Sequence, residues 1–340
     1  MNMQRESRTQ TQDVRMRAAV YRRFGAPEVV RIEEVPKPAP GPGEVLVKVH
    51  ASTVSAADHR ARGRTAPKGL GMLVALALGL FRPRKRVLGM DVAGVVEAVG
   101  ANVTSFRPGD EVIAMLGGRF GGHAEYVCVP QGDAITAKPR NMTFQEAVTL
   151  VFGGITAHAF LSRVTITPGD TVLVNGASGA VGTAAVQLAK QKGAHVTGVC
   201  SGANRDLVTA LGADRVIDYA KEDFLTEGQS YDVIMDCVGN APFELAGACI
   251  NPGGALLLVI SDLRGILLAS RQTRRSGKLV TAGNVDYTAD ALAFLVRLAE
   301  SGRFQAVTDR TYGLADIVEA HRFVDTGRKK GNVVLHVATA

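Results

Sequence analysis

The chain has 340 residues, 46% apolar and 21% charged, which is enough for two domains with full cores and excludes a fibrous or low-complexity protein. Its cysteines, Cys128, Cys200, Cys237 and Cys249, are too scattered for a disulfide framework and form no Cys-x-x-Cys pair, so a reducing, cytoplasmic setting is expected. The net charge of +7 is uneven, with eight cations and no acid between Asp58 and Asp91 and five more cations from Arg264 to Lys278; no nucleic-acid module accompanies them, so no nucleic-acid partner is expected.

Residues 1–15 are polar and lack the apolar core of a secretory signal, and they are read as a flexible leader. A β-rich third follows. EVLVKVHAS (44–52), DVAGVVEAVG (91–100), DEVIAML (110–116) and AEYVCVP (124–130) are short strands separated by Pro- and Gly-rich turns, the pattern of a barrel or strongly curved sheet. Within it lies the apolar run 70–81, LGMLVALALGLF, followed by the basic RPRKR. Twelve residues are too few for a membrane span, which needs about 20. The run is expected to form a lid or a packed local helix, with contact to a membrane or partner as the alternative.

From residue 141 strands and helices alternate. Strands are expected at 171–176, 195–201, 215–219, 231–239, 254–260 and 279–283, with helices at 179–192, 203–211 and near 241–249. The strands are nearly continuous apolar runs, as in a parallel sheet covered on both faces. Helices at 288–301 and 314–326 and a strand at 332–337 close the chain and are expected to return to the first domain, leaving a cleft. The fold class is therefore α/β: a doubly wound parallel sheet beside a β-barrel domain.

TVLVNGASGAVGTAAVQLAK (171–190) carries the most chemistry. A buried strand ends at Asn175, and the turn Gly176, Ala177, Ser178, Gly179, Ala180, Val181, Gly182 opens a helix. Ala-x-Gly-x-x-Gly in this strand–turn–helix setting is a dinucleotide fingerprint: Gly179 admits a pyrophosphate and Gly182 lets the helix approach the strand. A tight turn without ligand is the plain alternative. The next strand ends Val199-Cys200-Ser201-Gly202-Ala203-Asn204-Arg205, with no acid at its tip to hold a ribose 2′-hydroxyl. Ser201, Arg205 and Tyr219 could instead hold a 2′-phosphate, so NADP(H) is preferred, unless Arg205 simply begins a solvated helix.

The chain resembles the medium-chain dehydrogenase/reductase superfamily, in particular its zinc-independent quinone oxidoreductase-like branch. The likeness runs through PGPGEVLVKVHAS, Ser-Ala-Ala-Asp at 55–58, LGMDVAGVVEAVGANVTSFRPGDEV, GGHAEYVCVP, the Gly-rich turn and LGADRVIDY. It implies a GroES-like catalytic domain from 16–140 and 285–340, a Rossmann domain at 141–284, and an active site between them. Where zinc-holding members place their ligands this chain has Ser55, Gly89-Met90-Asp91 and Phe152, so no metal is expected. An acceptor that is already electrophilic suits such a site: a quinone or an α,β-unsaturated carbonyl, reduced by hydride from NADPH.

Ser55, Asp58, Asp91 and His123 are the catalytic candidates, each with a plainer reading as a cap, brace or structural histidine. Thr156 is expected near the nicotinamide. Cys237, Val238, Ile260 and Ser261 end two Rossmann strands where backbone meets ribose. Family members carry Lys in the final Gly-Lys-Val-Val; here Asn332 takes that place, and a charge role passes to Lys330 or is lost. A homodimer through the sheet edge near 278–283 is implied. The rival readings are a metal-free NADP-linked alcohol or aldehyde dehydrogenase and a non-catalytic NADPH-binding redox sensor or interaction protein.

Overall fold

The computed structural model describes residues 14–283 and 285–337. Residues 1–13 of the expected leader lie outside that range, and Arg15 already begins a strand, Arg15–Tyr21, paired antiparallel with Val30–Pro36. This pair escaped the sequence reading because VRIEEVP carries three charges and shows no apolar alternation.

The strand Glu44–Thr53 organises the first sheet. Asp91–Val99 pairs with one of its edges. Along the other edge Tyr126–Pro130 covers the first half and the C-terminal strand Asn332–His336 the second. Residues Val45, Val47 and Val49 point one way into a buried cluster, as period-2 alternation requires. The tail thus returns to the first sheet, adding Thr308–Gly313 beside Asn332–His336. Helices in this part include α1 (Ala56–Gly63) and α2 (Gly71–Leu78), and the helix Ile317–Asp325 packs into the same cluster. Helix α2 buries none of its residues fully: Val74, Ala75 and Leu78 are half-buried and Leu78 packs against the first-sheet cluster, while Met72, Leu73 and Leu76 stay exposed, so the expected packed helix is only partly packed.

The second sheet holds six parallel strands: β1 (Thr171–Asn175), β2 (His195–Cys200), β3 (Arg215–Asp218), β4 (Tyr231–Asp236), β5 (Ile250–Leu258) and β6 (Leu279–Ala282). Their order is β3-β2-β1-β4-β5-β6, the doubly wound Rossmann arrangement, which opens a crevice where β1 meets β4. Helix α3 (Ala180–Gln191) leaves β1, and α4 (Leu263–Ser276) joins β5 to β6. Strand β4 stops at Asp236 rather than 239 because that side chain turns back to bind the amides of Val238, Gly239 and Ala241. Strand β6 is an edge of the sheet.

Two sheets share one core. Ile113 of the first sheet, Val174 and Val186 of the second layer, and Leu150, Phe160 and Leu295 between them fall in a single buried cluster. One helical run among the described residues, Phe144–Leu161, is long and apolar enough to cross a membrane, but 67% of it is buried in this core. Leu295 is fully buried and would touch any side chain added at Gly154. Leu295→Ala should lower the unfolding free energy by about 2–5 kcal/mol and shift one cooperative denaturant transition for the whole chain. A second, unshifted transition would show that the sheets hold separate cores.

Candidate functional site

The turn between β1 and α3 has the shape its glycines require. A side chain at Gly182 would lie 2.1 Å from the Gly176 carbonyl oxygen, so only glycine lets α3 come this close to the strand. A side chain at Gly179 would meet nothing nearer than that same oxygen at 3.5 Å, leaving an open cradle. Gly179 caps α3 without a side-chain hydrogen bond, so the first amides of the helix, at Ala180, Val181 and Gly182, keep their donors for a ligand. These observations fit the pyrophosphate of a dinucleotide. Ala177 beneath the turn is fully buried, and Ser178 Oγ accepts from Asn204 Nδ2 at 3.0 Å, tying the turn to the segment after β2.

Ser201, Arg205 and Tyr219 gather at the ends of β2 and β3, with Tyr219 65% exposed. Burial raises the Cys200 thiol, and the charge of the exposed Arg205 opposes that rise. Asp218, missed by sequence reading, abuts Gly202 at the same tip, and its Oδ1 accepts the Ala220 amide at 3.2 Å. At the end of β4, Cys237 and Val238 flank the Asp236 clamp, which also accepts from Asn175 Nδ2 at 2.9 Å. Burial raises the Cys237 thiol, so it stays protonated. Ile260 and Ser261 follow β5 and line a cavity of about 640 Å³ together with Gly239, Arg60 and Lys68. This cavity lies at the carboxyl ends of β4 and β5, facing the loop that follows α1. The Arg60 guanidinium on its wall is half-buried, forms no ion pair among the described residues, and is lowered by desolvation.

The catalytic candidates sit differently from expectation. Ser55 and Asp58 form a capping box on α1: the Ser55 amide donates to Asp58 Oδ2 at 2.8 Å and the Asp58 amide to Ser55 Oγ at 3.3 Å. Asp58 Oδ1 also accepts the Gly89 amide at 2.8 Å, and the residue is fully buried. Asp91, fully buried too, accepts the Thr53 amide and hydroxyl, both at 2.7 Å. His123 is buried with Nε2 2.9 Å from the Thr53 carbonyl; a carbonyl only accepts, so Nε2 carries the proton. His321 lies beside it at 5.9 Å and burial holds it well below its usual pKa. Asp58, Asp91 and His123 have no accessible surface and brace the cleft wall, with both carboxylates engaged and His123 Nδ1 left without a partner among the described residues, which corrects their placement as groups that meet substrate. Met90 and Phe152 pack against the shared core.

Near the C-terminus the correction runs the other way. Asn332 is buried and donates to the carbonyls of Thr149 and Val307, so it ties the C-terminal strand to the central helical run and to the segment before Thr308–Gly313 rather than facing a cofactor. Lys330 is exposed, and its amide binds Asp309. Lys329, which sequence reading passed over, donates from Nζ to the Gly331 carbonyl at 2.6 Å, while the Gly331 amide donates to Ser178 at 2.8 Å. A cation thus reaches the Gly-rich turn from a neighbouring position, pushed down to about 8 by burial. Thr156 is buried with its hydroxyl 3.4 Å from that of Tyr287, another residue the sequence did not single out.

Two family models match: an alcohol dehydrogenase GroES-like domain over residues 41–140 and a zinc-binding dehydrogenase over residues 211–335. Among the described residues no three His, Cys, Asp or Glu side chains come together to hold a metal ion. A chloroplastic quinone-oxidoreductase of Triphysaria versicolor is 32% identical over 335 residues, covering 94% of this chain and 98% of that one. The 2-methylene-furan-3-one reductase of Solanum lycopersicum is 31% identical, covering 94% and 79%. The quinone oxidoreductase from Coxiella burnetii superposes with a TM-score of 0.85 at 28% identity, covering 96% and 100%.

Gly179→Ala should leave the melting temperature nearly unchanged and weaken dinucleotide binding by about tenfold or more, because it fills the cradle alone. Equal affinity by calorimetry would remove the phosphates from this turn. Burial raises the Asp91 carboxyl to about 7, against the hydrogen bonds from Thr53. The folded chain then holds this proton more tightly than the unfolded chain, so stability falls as pH rises from about 4 toward 7. Asp91→Asn removes that slope: its melting temperature relative to the parent should be higher at pH 8 than at pH 5. A constant difference across that range would show Asp91 ionised throughout.

Proposed function

We propose that this chain, which belongs to the quinone oxidoreductase-like part of the medium-chain dehydrogenase/reductase superfamily, is an NADPH-dependent, zinc-independent reductase of quinones and α,β-unsaturated carbonyls. The cavity at the carboxyl ends of β4 and β5, with Arg60, unpaired among the described residues, on its wall, carries this reading. Bound at the Gly-rich turn, NADPH would supply the hydride. The chain supplies position and charge. The amides opening α3, with Lys329 close by, suit the pyrophosphate, and Ser201, Arg205 and Tyr219 suit a 2′-phosphate. Reduction places negative charge on the oxygen of a quinone or enone, and the Arg60 guanidinium in a half-buried setting lowers the cost of that charge. Water reaching the open cavity can deliver the final proton.

The relatives' names support an acceptor with an activated carbon–carbon or carbonyl system, one being a quinone-oxidoreductase and another a reductase of a methylene-furanone. Absence of zinc is supported by Ser55 in a capping box and by Met90 and Phe152 in apolar contacts. Strand β6, the half-buried edge of the sheet, offers the pairing surface for a homodimer.

Oxidation of NADPH followed at the nicotinamide absorbance, with a benzoquinone, an aryl enone and a simple ketone, tests the reading. Turnover of the first two, unchanged by chelation, is expected. Arg205→Ala should raise the KM for NADPH by about tenfold and leave NADH unaffected. Arg60→Met should lower kcat by about tenfold or more with KM little changed. Stoichiometric zinc would overturn the metal-free assignment. Silence across the panel with NADPH still bound would favour a non-catalytic binding protein.

A further inference from the structure

Helix α2 and the turn after it present Met72, Leu73, Leu76, Leu80 and Phe81 to solvent, with Phe81 91% exposed. Water-facing proteins seldom leave so large a connected apolar surface without an occupant. Its position is fixed: the Lys68 carbonyl accepts the Leu263 amide at 3.0 Å, pinning the start of α2 to the start of α4, and Arg64 donates to the Leu80 carbonyl at the other end. Leu267 on α4 is 68% exposed and lines a groove of about 390 Å³ with Gly69. Charges border this surface. Lys68 precedes it; Arg82, Arg84, Lys85 and Arg86 follow it; Arg264, Arg271, Arg274 and Arg275 run along α4, and all are exposed. Of these, among the described residues, Arg264 alone has an acid within ion-pair distance, Glu244 at 3.5 Å.

We propose that α2 and the N-terminal part of α4 form a docking surface for an anionic lipid bilayer. The leucines and Phe81 enter the interfacial layer, and the bordering cations meet the headgroups. An isologous pairing of two copies through this face would set cations against cations, which disfavours a second copy as the occupant. The docking surface adjoins the site. Lys68, Asp262 and Arg264 line both the groove and the acceptor cavity. Resting on the reductase reading above, this continuity assigns a lipid-tailed quinone, taken from the bilayer, as the acceptor class.

Sedimentation with vesicles of phosphatidylcholine alone or mixed with phosphatidylglycerol tests the docking. The chain should pellet with the anionic vesicles, remain largely in solution with the neutral ones, and be released by salt. Leu73→Ser/Leu76→Ser should reduce the bound fraction by about tenfold or more, and so should Arg84→Gln/Lys85→Gln/Arg86→Gln, with turnover of a water-soluble benzoquinone unchanged in both. Turnover of a prenylated quinone in anionic vesicles should fall alongside binding. Parent chain that stays in solution with anionic vesicles, or variants that pellet like the parent, would overturn the proposal. A solution dimer dissociated by the leucine variant would overturn it too, giving this face to a second copy. Retained benzoquinone turnover without vesicle binding removes docking alone; vesicle binding without turnover of either quinone removes the reductase reading and the assigned acceptor.

Discussion

The Gly331 amide donates to the Ser178 carbonyl across a gap of more than 150 residues in sequence, at 2.8 Å. That bond stitches the returning C-terminal segment onto the Gly-rich turn, and the cleft depends on it. The first sheet is held against the second at the spot where a dinucleotide's phosphates would rest. Asn332, the next residue, extends the seam with its two bonds to Thr149 and Val307. Lys329 then occupies its position because the seam is there. A glycine at 331, with φ +53 and its α-carbon crowded by Val307, is the residue that permits so close an approach.

Polar side chains around the cleft divide into two kinds. Asp58, Asp91 and Asp236 are buried and accept from backbone amides, hydroxyls or the Asn175 side chain, and His123, also buried, donates from Nε2 to a carbonyl. They hold strand ends and turns in place, as a buried polar group must do to offset its lost hydration. Arg60, Lys68 and Arg205 are the opposite kind: cations at least partly accessible, at the rim or wall, with no carboxylate bonded to them among the described residues. The first kind gives the cleft its form, and the second places cations at the rim and on a wall that also carries Asp236, Glu244 and Asp262, within reach of phosphates and of charge developing on an acceptor.

Much of this was legible in the sequence where the physics is local. The strand–turn–helix at 171–190 can be read directly because apolar continuity and glycine spacing sit within one window. The parallel sheet follows from strands that are apolar on both faces. The roles of Asp91 and His123 were hidden, because both are decided by Thr53, some 38 and 70 residues away in the chain. Ser55 and Asp58 matched a capping box as well as they matched a catalytic pair, and the fully buried carboxylate separates the two. The bond from Lys329 to Gly331, whose amide meets Ser178, lies on the seam, which no window contains. How much of α2 is covered was hidden, because an apolar run carries no record of whether another surface meets it: one side, through Leu78, does pack and the other stays exposed.

The shared core has a consequence for how a ligand makes itself felt. A dinucleotide would touch mainly the second sheet, yet Ile113 and Ala93 of the first belong to the same buried cluster as Val174 and Val186. Binding to the native state lowers the population of every opening that breaks this cluster. Amide protons in Asp91–Val99, a strand of the first sheet, will then exchange more slowly with the cofactor present, in proportion to its free concentration over its Kd. Occupancy of one sheet is thus written into the exchange rates of the other, with no atom displaced between them.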